Sequence, residues 1–130
     1  MSAERVRSQA PYTGSWGYSR AIRVGDRVLV SGTSASLPDG SVHAPGDPYE
    51  QSVFILDLIE AALADVGAAL GDVVRTRAFL TDVELWREVG RAHLERFGDV
   101  LPASTCVGGS TLLHPELVVE LEAEAIVAPA

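Results

Sequence analysis

The sequence predicts an α+β fold in two layers, a mixed sheet with two helices on one face. Three observations lead there. Two stretches carry apolar residues at helical spacing, several short β-rich runs are bounded by Gly, Pro and Asp, and the two kinds interleave along the chain. Residues 1–13 read as a flexible tail and residues 14–130 as one domain, a length that suits a single core.

Strands are expected over Tyr18–Val24 and Arg27–Gly32. Gly25-Asp26 between them suits a type II′ hairpin turn, whose first central position needs a positive φ. Pro38-Asp39-Gly40 and Pro45-Gly46 mark turns, with room for a short strand at Ser41–His43. Asp47-Pro48-Tyr49-Glu50 opens a helix. Asp47 accepts from orphan N–H groups, Pro48 fits the first helical position, and Glu50 stands at N3 as in a capping box. Leu56, Ile59, Leu63 and Val66 form its apolar stripe, opposite Glu50, Asp57, Ala61 and Ala64, and Gly67 is the expected stop. Asp72–Thr81 is β-rich and too short for a typical helix. A second helix is expected from about Glu84 to Phe97, with Trp86, Val89, His93 and Phe97 as its stripe and Gly98 at its end. Ala103–Gly109 and Leu117–Val127 supply the last strands. No repeat of solenoid period and no low-complexity tract interrupts this order.

Composition removes several functions. All ten basic residues are Arg, against eighteen Asp and Glu, for a net charge of −8; there is no Lys and no Asn. Without Lys the chain forms no Lys Schiff base and carries no P-loop lysine. The acidic balance argues against nucleic acid as main partner, although Arg20, Arg23 and Arg27 cluster in the first hairpin. Cys106 is the single cysteine, which excludes an internal disulfide framework and a CxxC metal knuckle. His43, His93 and His114 show no ligand spacing with one another or with carboxylates, so no metal is expected. No GxSxG elbow is present. The first twelve residues lack the apolar region of a signal peptide, and Val53–Leu70 is broken by Asp57, Glu60 and Asp65, so neither export nor a membrane span is expected. A cytoplasmic protein is the expectation.

The second sheet face is chemically mixed. In 73–80, Arg75, Arg77 and Phe79 share one side; in 117–127, Val118, Glu120, Glu122, Glu124 and Ile126 share one side. If the two sides face the same way, Arg and Glu pair across strands. That face is then either a solvated, salt-bridged surface or one that neighbouring subunits cover and that holds the site.

Five separated segments now matter together. They are Gly17-Tyr18-Ser19-Arg20-Ala21, Val30-Ser31-Gly32, Asp72-Val73-Val74-Arg75-Thr76 with Phe79-Leu80-Thr81-Asp82, Pro102-Ala103-Ser104-Thr105-Cys106-Val107, and Val119-Glu120-Leu121-Glu122-Ala123. In this order, over about residues 14–127, the chain resembles the Rid (YjgF-type) family. The resemblance implies a chorismate-mutase-like α+β fold assembled as a homotrimer, with the sheets forming a central barrel, the helices outside and pockets at the subunit interfaces. It further implies hydrolysis of reactive enamines and imines, such as 2-aminoacrylate, to a 2-keto acid and ammonia, with no cofactor.

The resemblance also assigns residues. Glu120 matches the family glutamate that holds and activates the attacking water; its structural role would be pairing with Arg75 or Arg77. Tyr18 matches the pocket tyrosine, or is an aromatic packed at an interface. Gly32 presents its N–H to a carboxylate or carbonyl oxygen, or allows close strand packing. Cys106 matches a pocket cysteine and otherwise is a small buried apolar group. Thr105 belongs to the same segment. Deaminating members carry an Arg after Pro-Ala that clamps the substrate carboxylate; here that position is Ser104, and an Asn frequent in the second helix is Gly90. Arg77 is a candidate replacement anchor, or else a structural ion pair. His93, on the apolar stripe, is expected to be a satisfied core or interface residue.

The expected protein is thus a divergent Rid-like, cofactor-free trimer acting on a small enamine, imine or related carbonyl compound that differs from 2-aminoacrylate. The alternative is a non-catalytic trimer that binds a small molecule or regulates. The ribonuclease label sometimes attached to the family fits the charge balance poorly.

Overall fold

The computed structural model describes residues 2–129; Met1 and Ala130, the outer ends of the expected tail and domain, lie outside the described residues. The chain runs β1 (Ala3–Val6), α1 (Thr13–Trp16), β2 (Ala21–Val24), β3 (Arg27–Thr33), α2 (Pro48–Asp65), β4 (Val73–Leu80), α3 (Trp86–Phe97), β5 (Ala103–Val107) and β6 (Val119–Ile126). The strands form one sheet in the order β1-β2-β3-β6-β4-β5. Every pairing is antiparallel except β4 with β5, which run parallel. Parallel neighbours need a long crossover, and α3 supplies it.

Both long helices cover the same face. Val28, Val30, Leu80, Val119 and Leu121 of the sheet share one core with Ile55, Leu56, Ile59 and Leu63 of α2 and with Val89, Ala92 and Phe97 of α3. Each large aliphatic side chain buried this way contributes about 1.5–3 kcal/mol. The local signals act as their chemistry dictates. Asp47 Oδ1 accepts from the Glu50 N–H at 3.0 Å, and Pro48 begins α2. Only half the capping box forms, because the Asp47 N–H donates to the Ala44 carbonyl at 3.1 Å instead of to Glu50. Gly25 turns the first hairpin at φ 63°, and Gly67 leaves α2 at φ 78°. Gln51, fully buried on α2, donates to the carbonyls of Ala44 (3.0 Å) and Glu116 (2.9 Å) and accepts from the Val118 N–H (3.0 Å), which ties the loop before β6 to the helix.

Four expectations change. Residues 3–6, placed in a flexible tail, form the edge strand β1, with Ala3 opposite Val24 and Val6 opposite Ala21. Its sequence Ala-Glu-Arg-Val has too few apolar residues to announce a strand, and Val6 earns its place by packing on the core. The first predicted strand starts at Ala21 instead of Tyr18, leaving Tyr18, Ser19 and Arg20 outside it. Ser41–His43 makes one bridge, Val42 to Ser36. Trp86 is half exposed, with the Arg87 guanidinium 4.7 Å from its ring centroid, and Ala92 joins the buried stripe in its stead. Among the described residues, no helix is long and apolar enough to cross a membrane.

Candidate functional site

The site begins at an irregularity in β3. Val30 pairs with Ala123 and Thr33 with Leu121, so two residues, Ser31 and Gly32, stand opposite Glu122 alone. Such a β-bulge bends the strand and re-aims its side chains. Here it turns Gly32 toward Glu120. A Cβ on Gly32 would lie 3.0 Å from Glu120 Cδ, 3.1 Å from Oε2 and 3.3 Å from Oε1. The missing side chain is the space the carboxyl occupies.

Arg20 braces this arrangement from behind. It is only 9% exposed, and its Nη1 donates to the Gly32 carbonyl at 2.8 Å and to Thr33 Oγ1 at 2.9 Å. Its Nη2 donates to Ser8 Oγ at 3.0 Å and to the Tyr18 hydroxyl oxygen at 3.4 Å, while Ser8 Oγ donates to the same hydroxyl at 3.2 Å. A buried guanidinium is tolerable because these neutral acceptors satisfy it.

Glu120 projects from β6 on the face away from the helices, opposite Phe79 in register. Among the described residues it makes no ion pair. Burial pushes its carboxyl above the ordinary glutamate range; the charge of Arg20 pulls it partly back, and Glu122 adds to the rise. It lines a cavity of about 560 Å³ together with Tyr12, Trp16, Tyr18, Arg20 and Gly32. A carboxyl with a raised pKa, in a concave site that Tyr12, Trp16 and Tyr18 also line, is equipped to take a proton from water and to return it.

The structure therefore brings together three of the predicted residues, Glu120, Tyr18 and Gly32. It places the others elsewhere. Arg77 does not reach this cavity: its Nη1 donates to Glu122 at 2.8 Å and to Glu124 at 3.3 Å. Glu120 pairs with neither Arg75 nor Arg77, so its proposed structural role is not realised within the chain. Ser104, Thr105 and Cys106 lie on the exposed strand β5, outside the cavity lining. Ser104 Oγ accepts from Thr76 Oγ1 at 2.7 Å, and Thr76 Oγ1 lies 2.8 Å from His93 Nε2. Burial keeps His93 below the ordinary histidine pKa, and Phe97 packs on its ring at 4.7 Å. Partial burial pushes the Cys106 thiol up, the opposite of what activates a nucleophile.

Arg20, Tyr12 and Trp16 also line the cavity, and no motif in the sequence marks them as site residues. Arg20 stands in the Gly17–Ala21 segment, two residues from Tyr18, which is the available signal, although by composition it is one of three clustered hairpin cations. Those three diverge. Arg20 turns into the site, Arg23 donates to the Val66 carbonyl at 2.6 Å at the end of α2, and Arg27 faces Glu124 at 3.7 Å. No group of three or more His, Cys, Asp and Glu suited to a metal ion occurs among the described residues.

Known proteins share this architecture. A Mycobacterium tuberculosis member of the YjgF/YER057c/UK114 family, solved as a crystal structure, superposes with TM-score 0.87 at 41% identity, over 97% of this chain and all of that one. A Yersinia pestis protein of unknown function from the conserved Rid family gives TM-score 0.83 at 26% identity, over 97% and 100% of the two chains. In sequence, an uncharacterized protein of Streptomyces coelicolor is 36% identical over 124 residues, 95% of this chain and 92% of its own length. A RutC family protein of Pyrococcus abyssi is 33% identical over 106 residues, 82% of this chain and 83% of its own. The Endoribonuclease L-PSP family profile matches residues 8–127. With a sheet, bulge and pocket laid on that shared framework, the chain belongs to the Endoribonuclease L-PSP family, the YjgF/RutC or Rid proteins.

Proposed function

We propose that this protein hydrolyses a small enamine or imine, or acts by related acid–base chemistry on a carbonyl compound, with Glu120 as the acid–base group. The observation that carries the reading is the carboxyl of Glu120. It is seated over Gly32 without an ion-pair partner among the described residues, its pKa is raised by burial, and it lines a cavity with Tyr12, Trp16 and Tyr18. Water adds to the C=N carbon as Glu120 accepts one of its protons. The neutral carbinolamine formed from the iminium takes that proton back from Glu120 on nitrogen, and the C–N bond breaks with its electron pair going to nitrogen. Glu120 removes the remaining hydroxyl proton, so that a carbonyl and ammonia leave and the proton on Glu120 passes to solvent or to ammonia. The Tyr18 hydroxyl, held by Ser8 and Arg20, is placed to orient a polar substrate group.

Two features support a working unit larger than one chain, a homotrimer with the sheets inside. The sheet face that carries Glu120 leaves Leu29 44% and Ile126 46% exposed. The Ser104–Cys106 segment, which the resemblance places at the substrate, lies outside this chain's own cavity, so a neighbouring copy would have to supply it. Ser104 makes this a divergent member. In the place of a clamping Arg stands a hydroxyl already bonded to Thr76, a poor partner for a 2-imino carboxylate. A cytoplasmic location is part of the same reading.

The test generates 2-aminoacrylate in situ with a dehydratase and follows keto-acid release. The natural sequence is expected to be slow, Ser104→Arg faster, and Ser104→Arg with Glu120→Gln reduced by roughly 10²- to 10⁴-fold. No rate above the uncatalysed control in Ser104→Arg, and none with neutral imines in the natural sequence, would overturn catalysis and favour a small-molecule-binding trimer. Light scattering reads the assembly, and a stable monomer at micromolar concentration would remove the interface argument.

A further inference from the structure

A second cavity lies beside the first. It measures about 390 Å³ and is lined by Arg5, Arg7, Ser8, Thr13, Tyr18 and Ser19, with Tyr18 common to both. Arg5 stands in β1 and Arg7 lies one residue past its end, and both line this cavity. Neither makes an ion pair or a side-chain hydrogen bond among the described residues. Glu4, the acid that precedes Arg5, stands opposite Arg23 in register and lines neither cavity. In a chain of net charge −8, a concave surface with two guanidiniums unpaired among the described residues, four hydroxyl side chains, the Gln9 amide and no lining carboxylate is unusual chemistry. Guanidiniums with hydroxyls around them recognise oxyanions through charge-assisted, bidentate hydrogen bonds. The partition between the cavities is the Ser8–Tyr18 pair, itself bonded to Arg20, which in turn holds the Gly32 carbonyl beneath Glu120.

We infer that the Arg5–Arg7 groove is an oxyanion site for a small molecule, taking a carboxylate or phosphate beside the Glu120 cavity. The anion is either the tail of a ligand whose other end lies at Glu120 or a separate small anion. The site is independent of whether Glu120 catalyses hydrolysis, since it is read by binding alone.

The test is an amide NMR titration of the full-length protein with inorganic phosphate at low salt, repeated with 2-oxobutanoate. Saturable shifts are expected at the amides of Ser8, Thr13 and Ser19. The affinity should fall at least about tenfold in the double variant Arg5→Gln with Arg7→Gln, fall similarly in Ser19→Glu, which adds a carboxylate while leaving both arginines, and stay unchanged in Arg87→Gln. If 2-oxobutanoate competes with phosphate and also shifts Gly32 and Glu120, the anion is the tail of a ligand in both cavities. If phosphate saturates the groove and leaves those two unmoved, a separate anion binds. Shifts that do not saturate, or that keep the same affinity in both the double variant and Ser19→Glu, overturn the site.

Discussion

Glu120 and Gly32 fit together as a carboxyl and the vacancy beneath it, with 3.0 Å between Glu120 Cδ and the point where a Gly32 Cβ would stand. Gly32 has no positive φ, so its role is space and not backbone freedom. Gly32→Ala should therefore fold, with a stability change of about 1 kcal/mol. The displaced carboxyl should lower kcat/KM by roughly 10- to 100-fold, because a misplacement near 1 Å is enough to do so. Steady-state kinetics alongside thermal melts separate the two effects; an unchanged kcat/KM would disconnect this contact from function.

Glu120 also leaves a mark on stability. Its folded pKa is raised, so its stabilising contribution is complete at pH below the ordinary glutamate value and is lost as pH rises through the folded pKa. Glu120→Gln should melt higher than the natural sequence at neutral pH, and the difference should vanish toward acid. A melting series across that range checks the sign.

Arg20 should be costly to lose. Arg20→Met strands the Gly32 carbonyl and the Thr33, Ser8 and Tyr18 hydroxyls, and about 2–4 kcal/mol of stability should go with it. The charge that pulls the Glu120 pKa down also disappears, so the acidic limb of the rate profile should move to higher pH. Denaturant unfolding and a pH–rate profile measure both.

Thr76 connects His93 to Ser104 through one buried hydroxyl. Thr76→Val keeps the shape, removes both bonds and should destabilise by roughly 1–3 kcal/mol. His93 has a lowered folded pKa from burial, so in the natural sequence stability should drop as pH falls through about 6.5, the ordinary histidine value, where the unfolded chain takes up a proton. In His93→Gln that drop should flatten.

Arg77 should matter far less. Its pairs with Glu122 and Glu124 are about one-third exposed, so Arg77→Met should lower the melting temperature only slightly, and less still in high salt. Melting at two ionic strengths is the measurement, and a large loss of ligand binding would place Arg77 at the site after all.

What the sequence by itself determined was local chemistry and periodicity. Asp47-Pro48 started α2, Gly25 turned the hairpin, and alternation in 73–80 and 119–126 put Arg77 and the glutamates on one face. The spaced motifs pointed to the family and to Tyr18, Gly32 and Glu120. Such signals are written by residues close in the chain, or by an ordered set of motifs. The tertiary structure alone decided that Ala3–Val6 is a strand, that Ser31–Gly32 forms a bulge, that Arg20 braces the site while Arg77 is spent on two glutamates, and that Ser104 bonds to Thr76. Each depends on which distant groups share a desolvated space. An edge strand forms because Val6 finds the core, and an arginine becomes a brace because its donors meet neutral acceptors from three other segments. Residue type sets what a side chain can bond; only the packed chain chooses its partner.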